Sequence, residues 1–140
     1  MPSADEPITI SKTVGESDVY LFAGITGDLS PVHVDHEYMK RNSPFGERIA
    51  HGVLLLGYTS AASTVLAARL TAEHGWKSMV SLGYDGIRFV APVRIGDTIT
   101  VRYRLEARDE ARQRTVSAFD VVNQRGETVL AGRHLMKWFA

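Results

Sequence analysis

The stretch from Gly52 to Leu70 constrains this chain more than any other. It reads Gly-Val-Leu-Leu-Leu-Gly-Tyr-Thr-Ser-Ala-Ala-Ser-Thr-Val-Leu-Ala-Ala-Arg-Leu and is apolar or small on nearly every side. As a helix it spans roughly 28 Å at 1.5 Å of rise per residue. That approaches the thickness of a bilayer core, but Tyr58, Thr59, Ser60, Ser63 and Thr64 interrupt the run and Arg69 sits near its end. Those groups are costly in hydrocarbon. The pattern therefore predicts no membrane span but a helix buried inside protein, with a sheet wrapped around it.

The second half of the chain supplies that sheet. Ile99, Val101, Tyr103, Leu105 and Ala107 alternate with Thr100, Arg102, Arg104, Glu106 and Arg108, which is period two with one dry face and one wet face. Ser78–Val90 is also strand-like. Its apolar phase shifts between Val80-Leu82-Tyr84 and Ile87-Phe89 across Asp85-Gly86, which either a bulge or a type I′ hairpin explains. Thr115–Asn123 and Thr128–Phe139 flank a turn at Gln124-Arg125-Gly126, and Ile8-Thr9-Ile10 predicts a short further strand.

Before the apolar run, Ser17 is the expected N-cap of a helix carrying Val19, Phe22, Ala23 and Thr26, with Asp18 favourably placed against its dipole and Gly27 at its exit. Pro31 restrains Ser30 to extended geometry, so Asp28–His33 predicts a shaped loop. Asp35 is expected to cap a short helix through Lys40. Helices followed by antiparallel strands define the α+β class, and a length of 140 residues predicts one domain, 1–140.

Composition removes several function classes. The 16 Lys+Arg balance 16 Asp+Glu, and such neutrality argues against nucleic acid as the partner. It also removes the self-repulsion that opposes association. Cysteine is absent, so no disulfide, thiolate nucleophile or Cys-ligated zinc can form. Met1–Pro7 is acidic and polar, unlike a signal peptide, and a cytoplasmic location is expected. The chain has no GxGxxG, P-loop or GxSxG pattern. Ser60 and Ser63 lie in the apolar helix, where back-bonding to carbonyls or small-residue packing is expected. Arg102, Arg104, Arg108, Arg112 and Arg114 predict a solvated sheet face.

Of the five histidines, His33 and His51 stand with Asp28 in the chemically suggestive part of the chain. Asp28 and His33 lie across a proline-containing turn that can aim a carboxylate and an imidazole at one water. Gly52 opens the long helix, where its unpaired N–H and the helix dipole suit a developing oxyanion, and a missing Cβ permits close approach of a substrate. The residues alone leave plainer readings open: an Asx-turn at Asp28, a satisfied buried His33, and His51 as a fixture of the helix start. A metal set of His33, His36 and Asp35 or Glu37 is disfavoured, because a loop becomes a helix between the histidines and no HExxH occurs.

Gly27-Asp28-Leu29-Ser30-Pro31-Val32-His33-Val34-Asp35 resembles the G-D-x-N-P-x-H-x-D motif of MaoC-like dehydratases and (R)-specific enoyl-CoA hydratases. Phe45–Gly52 resembles the next segment of that family, and Phe89–Val93 with Gly96-Asp97-Thr98 a third, weaker one. The resemblance implies a single hot-dog fold, an antiparallel sheet around a long central helix, and a homodimer or higher homo-oligomer joined edge to edge. It implies a hydro-lyase that reversibly hydrates a trans-2-enoyl thioester, on CoA or on an acyl-carrier protein, to the (R)-3-hydroxyacyl thioester. Asp28 and His33 match the catalytic pair and Gly52 the oxyanion donor. Ser60 falls where some members support the catalytic loop. No metal or other cofactor is implied. Ser30 departs from the usual asparagine, which puts the tethering of the loop in question. Two alternatives stand beside this reading: a hot-dog acyl-CoA thioesterase, and a non-catalytic acyl-CoA-binding or partner subunit of a dehydratase.

Overall fold

The apolar run folds as one helix, α4 (Gly52–His74), in a computed structural model that describes residues 2–140. Leu55, Thr59, Ala62, Ser63, Leu66 and Leu70 recur at helical spacing and are its buried residues. Its internal hydroxyls bond back to the helix as expected, Thr59 to the Leu56 carbonyl at 2.6 Å and Ser63 to the Ser60 carbonyl at 2.7 Å. By length and composition α4 could cross a membrane, but its buried face packs on the sheet as a core helix. The sheet wraps the buried face of α4, as the sequence pattern predicts. Gly57, Ser60, Ala61, Thr64 and Ala68 remain exposed, because a single sheet covers only one face of a helix.

The remaining elements follow in the order β1 (Ile8–Thr13), α1 (Glu16–Thr26), α2 (Pro31–Val34) and α3 (His36–Asn42) before α4, then β2 (Ser78–Phe89), β3 (Thr98–Asp109), β4 (Arg114–Val122) and β5 (Thr128–Phe139). The strands form one antiparallel sheet of order β1-β3-β4-β5-β2, curled around α4 as a hot-dog fold. Its concave face carries Ile99, Val101 and Tyr103 from β3, Phe119 and Val121 from β4, and Leu130 from β5, all buried. Register places Tyr103 opposite Phe119, and Phe119 opposite Gly132. The phase shift in β2 is a bulge rather than a hairpin. One continuous strand pairs with β5 and slips register between Ser81 and Gly83 and between Asp85 and Arg88.

The cap of α1 differs from expectation. Gly15, not Ser17, is the N-cap, and Asp18 reaches back to accept the Gly15 N–H at 2.8 Å. A carboxylate three residues into a helix has the length to close that bond, so the serine is not needed. Asp35 does cap α3, accepting from the Tyr38 N–H at 2.9 Å, although the helix runs to Asn42 rather than Lys40. The basic stretch is largely paired on the surface, with Arg102 against Asp120 at 2.6 Å and Arg108 against Glu110 at 2.8 Å.

Two contacts fix the entry to α4. Ala50 N–H donates to the Val93 carbonyl at 2.7 Å, and Ile49 bridges Arg94. The residues immediately before Gly52 are therefore tied to the β2–β3 connection, which gives the helix start a rigid base.

Candidate active site

Gly27 ends α1 in the left-handed region at φ 79°, a conformation open mainly to glycine, and turns the chain into the Asp28–His33 segment. The expected loop contains a single helical turn, α2, with Pro31 at its first position, where the missing N–H costs nothing. Ser30 precedes it in extended geometry, at φ −54° and ψ 133°. Its N–H faces Asp28 Oδ1 at 3.4 Å, and its carbonyl accepts the His33 N–H at 2.9 Å. Both contacts use main-chain atoms of Ser30. The tethering question raised by serine in place of asparagine is thus met by backbone atoms that any residue supplies.

The turn presents His33 to the body of the protein. Its Nδ1–H donates to the Ile49 carbonyl at 2.8 Å, and the Ile49 N–H donates to the Val32 carbonyl at 3.2 Å. A carbonyl can only accept, so the neutral imidazole keeps its lone pair on Nε2. His51 lies against it, with ring centroids 3.8 Å apart and planes inclined by 27°. Phe22 touches the His51 ring with centroids 4.7 Å apart. His51 Nε2–H donates to the main-chain carbonyl of Asp28 at 3.1 Å.

A carboxylate oxygen of Asp28 and one ring nitrogen each of His33 and His51 all lie within 4.8 Å of one another. Two hydrogen bonds of ~2.8 Å meeting at a tetrahedral oxygen span roughly 4.6 Å, so one water fits between such groups. The same spacing invites the question of a metal ion. Donor atoms on a tetrahedral ion must converge, but lone pairs lie in the ring planes and these two rings are nearly parallel. One nitrogen of each ring is also occupied by a carbonyl. The set suits a water better than a cation. His36, the other ligand in the disfavoured metal set, begins α3 and is not part of this cluster.

Gly52 starts α4 beside this cluster. The Leu54 and Leu55 N–H groups turn to the His51 carbonyl, while the Gly52 N–H has no partner among the described residues. It carries the positive end of a 23-residue helix. A cavity of about 400 Å³ opens there, bordered by His33, Gly52, Val53, Phe45, Phe89 and Val129. A Cβ on residue 52 would lie 2.6 Å from two ring carbons of Phe89. The glycine therefore admits an aromatic ring from the end of β2, a reason the sequence did not disclose.

The structure brings Asp28, His33 and Gly52 together and leaves Ser60 elsewhere. Ser60 is eight residues along α4 from Gly52, about 12 Å by helical rise, exposed, and without a hydrogen bond from its hydroxyl to the loop among the described residues. Support for the loop comes from His51 and the Ile49 carbonyl instead. The sequence signal for His51 was its place directly before the helix-opening glycine. Phe89 carried none, because only the folded register brings it to Gly52.

Residues 2–125 match the family of MaoC like domains. The (R)-specific enoyl-CoA hydratase of Rhodospirillum rubrum is 45% identical over 92 residues, covering 66% of this chain and 58% of that protein. The match thus spans little more than half the length of that relative. The 3-hydroxybutyryl-CoA dehydratase of Methylorubrum extorquens is 37% identical over 129 residues, covering 91% of this chain and 75% of that protein. Among solved structures, an R-hydratase from Pseudomonas aeruginosa superposes with a TM-score of 0.73 at 28% identity, covering 99% of this chain and 83% of that one.

Proposed function

The chain belongs to the MaoC-like domain family, and from that premise we propose that it is a hydro-lyase acting on trans-2-enoyl thioesters to form (R)-3-hydroxyacyl thioesters, reversibly. The observation that carries this reading is a carboxylate and an imidazole within the span of one water, beside the Gly52 N–H, which has no partner among the described residues.

The chemistry follows from those positions. The thioester carbonyl accepts from the Gly52 N–H, and the dipole of α4 favours the negative charge that develops on its oxygen. Withdrawal of electrons toward that oxygen leaves C3 of the alkene electrophilic. A water held between Asp28 and His33 attacks C3, and Asp28 takes its proton as the C–O bond forms. The alkene electron pair moves toward C2 and the carbonyl. The proton passes from Asp28 to the lone pair on His33 Nε2 and from there to C2, and the carbonyl re-forms. One water is added, and Asp28 and His33 end as they began. The scheme uses no metal or redox cofactor.

CoA is the thioester carrier in this reading, with an acyl-carrier protein as the other candidate. Residues 1–140 act as a single MaoC-like domain in the cytoplasm. Two copies associate through the free edge of β2, where Val80 and Leu82 are exposed in the single chain. Light scattering on the purified protein tests that association.

The activity is tested by mixing the protein with trans-2-enoyl-CoAs of increasing chain length and following the conjugated enoyl absorbance. Loss of absorbance with formation of the (R)-alcohol is the expected result. Release of free thiol would identify a thioesterase instead, and acyl-CoA binding without turnover would identify a partner subunit.

A further inference from the structure

Asp28 is exposed, and its segment is joined to the rest of the fold by few bonds. Across the chain its main-chain carbonyl meets one partner among the described residues, the Nε2–H of His51. His51 is 2% exposed and is held from three directions. It is the N-cap of α4, its carbonyl accepting from Leu54 at 3.1 Å and Leu55 at 3.4 Å. Ala50 before it is pinned to Val93 at 2.7 Å. Its ring stands against both Phe22 and His33.

Packing alone does not explain a histidine there. Its Nδ1 is buried without a hydrogen-bond partner among the described residues, an unfavourable arrangement that a phenyl ring in the same space would avoid. The Asp28 carbonyl lies on an exposed residue, where water can satisfy it. What the imidazole adds beyond a phenyl ring is one N–H aimed at the Asp28 main chain.

Resting on the function proposed above, we infer that His51 is a positioning residue for the Asp28–His33 pair. One side chain holds the main chain that carries the carboxylate, backs the ring of His33, and adjoins the Gly52 N–H through the peptide bond. Freezing these three against one another keeps the water-binding geometry ready. Small misplacements of reacting groups cost rate rather than affinity.

The test separates the N–H from the ring. His51→Phe keeps an aromatic face and loses the donor, whereas His51→Gln keeps an N–H of similar reach and loses the ring. In hydration of a short trans-2-enoyl-CoA, His51→Phe is expected to lose about 100-fold in kcat with KM within about twofold of wild type. His51→Gln is expected to recover at least about tenfold of that loss. Amide hydrogen exchange, which needs no turnover, should accelerate at Asp28, Leu29 and Ser30 in His51→Phe and much less in His51→Gln, with both variants folded by circular dichroism. Wild-type kcat and exchange in His51→Phe would overturn the inference, as would equal losses in both variants. If the wild-type protein hydrates no enoyl thioester, the functional reading falls, and the exchange comparison still decides whether His51 holds the loop.

Discussion

His33 and His134 sit in surroundings built in opposite ways. His134, on the concave face of the sheet, is 1% exposed and has a hydroxyl on each ring nitrogen: Ser81 Oγ at 2.7 Å from Nε2 and Tyr103 Oη at 2.8 Å from Nδ1. Tyr84 stacks on its face with centroids 4.3 Å apart. Hydroxyls can donate or accept, so either neutral tautomer is satisfied. Burial pushes the His134 pKa down to about 4 and the Tyr103 pKa up to about 12. His33 is half-buried instead, with one nitrogen tied to a carbonyl and a cavity beside the ring. A ring with both nitrogens closed is structure. A ring with one nitrogen left for solvent and a carboxylate near it can move a proton.

The comparison is broken most directly at Asp28. Asp28→Asn removes the proton acceptor but keeps the shape, and hydration should fall by about 10³-fold, within the usual range for a general base. Steady-state kinetics on an enoyl-CoA measures it, together with an unchanged unfolding temperature. A variant within threefold of wild type would take Asp28 out of the mechanism.

Gly52→Ala probes the oxyanion side. The new methyl meets the Phe89 ring at 2.6 Å, and that exposed ring must turn aside, at a cost of about 0.5–1.5 kcal/mol. Chemical denaturation should show the loss, and Phe89→Ala in the same chain should restore most of the stability. Failure of the second substitution to help would mean that the ring is not what requires a glycine.

His134 makes its own prediction in acid. Its folded-state pKa, about 4, lies below the 6.5 of an unfolded histidine. The unfolded chain therefore takes up the proton first as pH falls. The stabilisation is fully present above pH 6.5 and drains away between 6.5 and about 4. The surface carboxylates Glu106 and Glu127, whose pKa values are lowered from 4.5 by hydrogen bonds from Arg133 and Arg125, lose their contribution as pH falls through 4.5, so they overlap only the acid end of that window. Denaturation curves across that window should slope for wild type and flatten for His134→Phe.

The smallest expected effect is at Ser30. Its contacts to Asp28 and His33 use its main-chain atoms, so Ser30→Ala should change stability by less than about 0.5 kcal/mol and leave turnover near wild type. A large loss would mean that the hydroxyl itself holds the loop.

Much of the fold was legible because periodicity reports burial directly. The alternation from Ile99 to Arg108 gave β3, and the apolar run gave α4. The phase slip in Ser78–Val90 signalled an irregularity but not which kind, since a bulge and a hairpin shift phase alike and only pairing with β5 separates them. The cap of α1 was misplaced because Asp18 can reach back to Gly15 as readily as Ser17 can cap. At the site, Asp28, His33 and Gly52 were visible through a local motif. Three other facts depend on long-range packing: the stacking of His51 on His33, the ring of Phe89 on Gly52, and the closure of His134 by Ser81 and Tyr103. The motif sets His33 apart from His134 in the sequence, but only the fold decides which partners reach each ring nitrogen.

That distinction can be measured in one assay. Wild type, His33→Asn and His134→Asn are compared for kcat/KM in hydration of a short trans-2-enoyl-CoA. We expect His33→Asn to lose at least about 100-fold, in the range for an acid–base group, with His134→Asn within about fivefold of wild type. Equal losses in the two variants, or the larger loss in His134→Asn, would contradict the assignment of proton transfer to the Asp28–His33 loop.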